Sequence, residues 1–153
     1  MKMMIPNKPN DVIWTDDQWK AIYLKGKNII VSAGAGSGKT AVLTERILQK
    51  LISGVLINQM IILTFTKAPA SEMRERIGKK IKKSIGKYPQ LKEQLYLVDQ
   101  ADITTFDSYS LSLVKKYHYI LGLPKNIGII DNVQLDIMTK KILDDIFETK
   151  YND

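Results

Sequence analysis

The sequence predicts an α/β fold: a small parallel sheet flanked by helices on both faces, with a helical C-terminal tail. Three observations predict it. Two short apolar runs, Asn28–Ala33 and Met60–Phe65, are each followed by a stretch with apolar residues at helical spacing. A third short run, Ile103–Thr105, precedes another such stretch. A glycine-rich turn, Gly34–Gly38, separates the first run from its helix. Strand alternating with helix is the pattern of parallel strands joined by crossover helices.

The elements follow in order. Residues 1–11 are polar with Pro6 and Pro9, and 1–13 read as a flexible arm. Thr15 is placed to cap a helix whose first turn holds Asp16, Asp17 and Gln18. Trp19, Ile22 and Tyr23 give that helix an apolar face, and Gly26 ends it. Asn28–Ala33 reads as a buried strand. Leu43, Ile47, Leu48 and Leu51 then mark a helix that stops at Gly54. Met60–Phe65 reads as a second buried strand. It leads into a helix from about Pro69 to Ile85, with its apolar stripe at Met73, Ile77, Ile81 and Ile85. Gln90–Val98 has amphipathic helical spacing. After Ile103–Thr105, a helix is expected over 107–121, with Tyr109, Leu113, Val114, Tyr117 and Leu121 on one face. The last helix runs from Val133 to Tyr151, with Leu135, Met138, Ile142 and Ile146 in phase.

Composition narrows the chemistry. The 153 residues include no cysteine, which excludes a disulfide scaffold, a thiol nucleophile and Cys-ligated zinc or iron–sulfur sites. The one histidine, His118, excludes a His-rich metal site and is assigned no chemistry. Twenty-three Lys and Arg against 16 Asp and Glu leave a net charge of +7, which favours polyanionic partners, nucleic acid first among them. The basic residues concentrate: eight fall between Lys67 and Lys87, with two acids. A DNA track and a solvated helix face both fit that run. No apolar run approaches the ~20 residues of a membrane span, and the first ten residues lack the apolar stretch of a secretory signal. A soluble cytoplasmic protein is expected.

The sharpest motif is Ala33-Gly34-Ala35-Gly36-Ser37-Gly38-Lys39-Thr40. Placed between a strand and a helix, it reads as a phosphate-binding loop, the alternative being a chance glycine-rich turn with a surface lysine. Glycines let successive backbone N–H groups turn toward phosphate oxygens, and the helix N-terminus adds partial positive charge. Lys39 is placed for the β- and γ-phosphates of ATP, and the Thr40 hydroxyl for Mg²⁺. Alanine stands at position 33 where the strict pattern has glycine. Hydrolysis also needs an acid at the end of another buried strand. Asp99 and Asp131 each end an apolar run, but the first run reads equally as helix and the second is interrupted by Gly128.

Four ordered segments together carry a resemblance: WTDDQ at 14–18, AGAGSGKT at 33–40, LTFTKAPASEMRERI at 63–77 and ITTFDSYSLSLVKKY at 103–117. From Trp14 onward the chain resembles the UvrD-like superfamily 1 DNA helicases, and within them the AddA-like branch of the bacterial ATP-dependent helicase–nucleases. The resemblance implies a partial RecA-like motor domain over 14–130 and the start of an inserted helical subdomain over 131–153. It implies that Gln18 reads adenine through its amide, whose groups match N6 and N7. Thr64, Phe65, Thr66 and Lys67 match one single-stranded-DNA motif. Thr105, Phe106 and Ser108 match the next. Strand ends present hydroxyls to phosphates, and an aromatic there can stack a base. Phe65 as ordinary core is the alternative. Lys67, Pro69 and Asp107 stand where Asn, Ala and His are usual. Lys67 adds a possible phosphate contact, whereas Asp107 repels phosphate unless it turns away as a helix cap.

The resemblance further implies that the Walker B acids, the second motor domain and the nuclease lie elsewhere in a larger chain. The expected whole is an ATP-driven helicase acting on single-stranded and duplex DNA in break repair, beside a second subunit. The 153 residues alone are expected to bind ATP–Mg²⁺ without unwinding. A sheet lacking a strand beside 28–33 presents an open edge and invites self-association. Two other classes stay open: a small P-loop phosphotransferase, and a non-catalytic nucleotide- or DNA-binding module.

Overall fold

The computed structural model describes residues 5–26 and 28–151. The arm at 1–4 and the tail end at 152–153 lie outside the described residues. The chain forms two compact units, Met1–Tyr109 and Ser110–Asp153.

The first unit is helix-rich. Helix α1 (Asp16–Tyr23) starts at the expected cap: Thr15 Oγ1 accepts from Gln18 N at 3.2 Å, and Gln18 Oε1 accepts from Thr15 N at 2.9 Å. This reciprocal pair satisfies two donors that a helix start leaves open. Helix α2 (Lys39–Ile52) follows the glycine-rich turn and buries Val42, Thr44, Ile47, Leu48 and Leu51. Leu43, expected on this face, points outward. The helix ends where Gly54 takes a φ of 94°.

Strand β1 (Ile61–Thr64) leads into helix α3 (Lys67–Ser84), and Pro69 sits in the first turn, where its missing N–H costs nothing. Ala70, Met73, Ile77 and Ile81 are buried at three- and four-residue spacing. A turn at Pro89–Leu91, helix α4 (Lys92–Leu97) and a turn at Val98–Gln100 then reach strand β2 (Asp102–Thr105). The Leu95–Asp99 run is therefore helical, and Asp99 ends on an exposed turn. Strands β1 and β2 pair in parallel, Ile61 with Asp102 through Thr64 with Thr105. The crossover through α3 makes this a strand–helix–strand unit.

The core lies where α2 and α3 meet this sheet. Leu51, Ile57, Ile77, Ile81 and Leu91 are its most deeply buried side chains, with Ile62 and Ile103 entering from the strands. Buried Gln94 is satisfied, its Oε1 accepting from Ile57 N at 2.9 Å.

Two expectations are corrected here. Asn28–Ala33 is neither buried nor a strand: Ile30 is 96% exposed, and β1 pairs only with β2 among the described residues. A β-branched run becomes a buried strand only when a neighbour supplies its ladder and a layer covers it. Among the described residues, helices also do not cover both sheet faces. Side chains alternate along a strand, so Ile62 meets the core while Ile61 and Leu63 stay exposed on the other face.

In the second unit, helix α5 (Phe106–Lys116), which starts at the end of the first, stops five residues before the expected end at 121. There Tyr117 N donates to Leu113 O, and His118 Nδ1 lies 2.9 Å from Leu123 O. Gly122, with a φ of 64°, completes the turn. The expected apolar face of this helix is not buried. Helix α6 (Asn132–Tyr151) begins at Asp131, whose Oδ1 accepts from Gln134 N at 2.8 Å. Asp131 is thus a helix cap in this structure. Leu135, Met138, Ile142 and Ile146 are all exposed. Among the described residues, no helix is long and apolar enough to cross a membrane.

Candidate nucleotide and nucleic-acid site

The glycine-rich loop turns through Gly36 and Gly38, whose φ values of 76° and 81° lie in the left-handed region. That geometry strains a side-chain-bearing residue and suits glycine. A Cβ on Gly38 would also approach Gln18 Nε2 at 3.4 Å. Gly38 is the N-cap of α2 and provides no side-chain cap, so the first amides of the helix stay open to an anion. At Gly34 and Gly36 a Cβ would meet nothing within 4 Å, so the glycine there answers to no crowding, and at Gly36 it answers to the backbone angle.

Lys39 bends back over the loop. Its Nζ donates to the carbonyls of Ala33 and Gly34, each at 2.6 Å. The ammonium is therefore held at the mouth of the loop. Thr40 is exposed in the first turn of α2, and its carbonyl accepts from buried Thr44 Oγ1 at 2.8 Å. Ala35 and Ser37 are exposed beside it.

Gln18 meets the loop directly. Its Nε2 donates to Ser37 O at 3.1 Å while its Oε1 completes the capping box. The two groups expected to read adenine both have partners here. A hollow of about 320 Å³ adjoins them, lined by Thr15, Gln18, Val31, Ala33, Ser37 and Lys39 among others. Its volume falls in the range of small-ligand sites.

Helix α1 is fixed in place by contacts that sequence reasoning did not foresee, two of them through Arg46 and Lys8. Arg46 on α2 donates through Nη1 to Ala21 O at 2.7 Å and Ile22 O at 3.1 Å. A guanidinium at a helix C-terminus satisfies carbonyls left open there and complements the dipole. Trp19 Nε1 donates to Pro6 O at 2.8 Å, and Lys8 pairs with Asp16. The Lys8 ammonium beside Asp16 holds its carboxyl below the usual range. The signal for Arg46 is its place among the apolar positions of α2.

The second group of predicted contacts lies at the C-terminal ends of β1 and β2. Because Thr64 pairs in register with Thr105, the segments Thr64–Lys67 and Thr105–Ser108 emerge side by side. Phe65 is fully exposed, so the core alternative for it fails. Phe106 is also exposed, as are Thr66 and Lys67. Thr64 Oγ1 donates to Thr66 O at 2.8 Å and shapes the turn. Thr105 is buried: its Oγ1 accepts from Ser108 N at 3.2 Å and donates to Ser108 Oγ at 2.9 Å. Thr105 thereby caps α5, and Asp107 sits exposed in the first turn instead of at the cap. Two exposed aromatic rings beside hydroxyls and a lysine can stack bases and contact phosphates.

Arg74 braces the other end, where the chain enters β2. Its guanidinium donates to Val98 O, to Ala101 O at 3.2 Å and to Ile103 O at 3.1 Å. Among the described residues, no cluster of three His, Cys, Asp or Glu side chains is arranged to hold a metal ion. The loop residues do fit ATP–Mg²⁺: positive-φ glycines, an open helix start, an ammonium at the mouth and an exposed hydroxyl at Thr40.

Comparison with known proteins identifies the family. The profile of the UvrD/REP helicase N-terminal domain matches residues 14–153. The ATP-dependent helicase/nuclease A-subunit of Listeria innocua is 39% identical over 99% of this chain and 13% of its own length. Proteins of the same name from Anoxybacillus flavithermus and Bacillus velezensis are 40% and 41% identical over 97% of this chain. The chain spans about an eighth of the length of these relatives, 13% and 12% for the latter two. A match over 140 consecutive residues, carrying both the phosphate loop and the strand-end motifs, places the chain in the UvrD/REP helicase N-terminal domain family.

Proposed function

We propose that the chain is the ATP-binding part of an ATP-dependent DNA helicase of the AddA-like helicase/nuclease type. Residues 14–130 are then a partial P-loop, RecA-like motor domain, and 131–153 open an inserted helical subdomain. The whole protein translocates on single-stranded DNA and opens duplex DNA in break repair, beside a second subunit. The observation that carries this reading is the loop itself, with two left-handed glycines, Lys39 at its mouth and Gln18 bonded to Ser37 O.

Residues 33–40 hold the phosphates and Thr40 faces Mg²⁺. Bound Mg²⁺ supplies neutralisation of charge on the β- and γ-phosphates. Lys39 exchanges its two carbonyl partners for phosphate oxygens. The open amides at the start of α2 orient the same group. Gln18 turns its amide from Ser37 O to the adenine edge. Thr64, Phe65, Thr66 and Lys67, with Phe106 and Ser108, contact single-stranded DNA, while Thr105 sets the start of α5. Asp99 and Asp131 are placed as turn and cap, so no acid is assigned to hydrolysis, and the chain alone binds nucleotide without turning it over.

Calorimetric titration with ATP and Mg²⁺ tests this. Lys39→Ala is expected to weaken binding about 10–100-fold, the loss of a charge-assisted contact. Gln18→Ala is expected to reduce the preference for ATP over GTP. Robust ATP turnover by the 153 residues, abolished by Lys39→Ala, would sink the reading that the chain alone does not hydrolyse ATP, whereas no ATP binding at all would sink the nucleotide site.

A further inference from the structure

Away from the strand ends, the second half of α3 carries a charge pattern the proposed function does not use. From Arg76 to Lys92 there are seven cations and no acid. Five like-charge pairs stand three or four residues apart within the helix, Arg76 with Lys79 and Lys80, Lys79 with Lys82 and Lys83, and Lys80 with Lys83. Each such pair destabilises a helix, and a merely solvated face alternates its signs instead. Arg76, Lys79, Lys80 and Lys83 line one groove of about 360 Å³ between α3 and α2, with Thr44 and Ser84 on its walls. The facing carboxylates are Glu72, Glu75 and Glu45, paired with Arg76, Lys79 and Lys80 respectively. Glu45 is largely buried and fixes Lys80, which also lies 5.7 Å from the Trp14 ring. The other two pairs are exposed, and such pairs are weak enough for a phosphate to replace the carboxylate.

We infer that the groove between α2 and α3 is a second phosphate-binding surface, which takes the phosphodiester backbone of a nucleic acid. It is separate from the strand-end contacts. Lys79 and Lys83 lie about 18 and 24 Å along the helix axis from Lys67, at 1.5 Å per residue. It needs no nucleotide in the loop.

The test is fluorescence anisotropy of a labelled single-stranded oligonucleotide, and of its duplex, across a salt series. Lys79→Ala/Lys83→Ala is expected to lower the slope of log affinity against log salt by about 1.4 on single strands and 1.8 on duplex. Lys79→Arg/Lys83→Arg should keep the wild-type slope. A loss on one substrate only identifies which form the groove holds. ATP binding should be unchanged in both variants. Phe65→Ala should lose affinity with little change of slope, which reports on the strand-end site independently. An unchanged slope on both substrates, in a variant with wild-type melting, overturns the groove and leaves the helicase reading standing. Equal, variant-sensitive binding of poly-glutamate would overturn it in favour of an acidic protein partner. Should the double variant fold poorly, Lys83→Gln alone is expected to lose about half the effect, and no loss there also overturns it.

Discussion

The Arg74 guanidinium reaches three carbonyls, of Val98, Ala101 and Ile103, and so ties α3 to the approach of β2. Hydrogen bonds from a charged donor to half-buried acceptors are among the stronger ones, and leaving the acceptors empty costs their desolvation. Arg74→Met is expected to destabilise the chain by about 2–3 kcal/mol in urea unfolding. Amide exchange at Ile103 should rise with it. Arg74→Lys should recover only part, because a single ammonium does not span the fork. Nothing near Arg74 in the chain announces this role, since its partners lie 24 to 29 residues away. Lys39, Thr40 and the glycines differ in this respect. Their chemistry is local to eight residues, and there the motif and the geometry coincide.

Among the elements, α1 shows how a local signal reaches the nucleotide site. Thr15→Ala is expected to cost about 1 kcal/mol through the lost cap. It should reduce ATP affinity less than Gln18→Ala, because Gln18 keeps its bonds to Thr15 N and Ser37 O. The Asp16–Lys8 pair adds a pH dependence. Asp16 is depressed in the folded state, so its contribution is present above the unfolded carboxylate pKa of about 3.9 and is lost as pH falls through the folded value. Lys8→Ala should flatten the acid limb of a melting-temperature profile between about pH 5 and 2. Caps, glycine stops and helical spacing were readable for α1, α2, α3 and α6 because these signals act within a turn or two. Pairing is non-local. Nothing inside Asn28–Ala33 says whether a strand lies alongside, so a β-branched run reads as buried while the structure leaves it unpaired. The same holds for α5, whose apolar spacing continues to Leu121 although the chain turns at Tyr117.

At the scale of the whole molecule, the stability of the first unit rests on α2 and α3 packed against one face of a two-stranded sheet. A strand pair alone is marginal and needs that covering layer. Ile103→Asp, which places a charge at a 3% exposed position, is expected to unfold the chain. Ile30→Asp should shift stability by no more than about 0.5 kcal/mol, as for other surface changes. A comparable loss from both substitutions in thermal melts would mean that 28–33 is buried in solution. The exposed run and the uncovered Ile61 and Leu63 also favour association between copies. Sedimentation should show concentration-dependent association that Ile30→Lys weakens.

The Thr64–Thr105 pairing has a metric consequence. Parallel neighbours sit about 4.8 Å apart, so the ladder works as a ruler between the two segments that emerge from it. The spacing of Phe65 and Phe106 is set by backbone hydrogen bonds at one end of the sheet rather than by loop lengths. Lengthening the connection between α3 and β2 would leave that gauge unchanged. A slip of one residue in the pairing would turn every side chain of β2 to its opposite face. The tolerance of this surface to insertion and its intolerance of register error then share one cause.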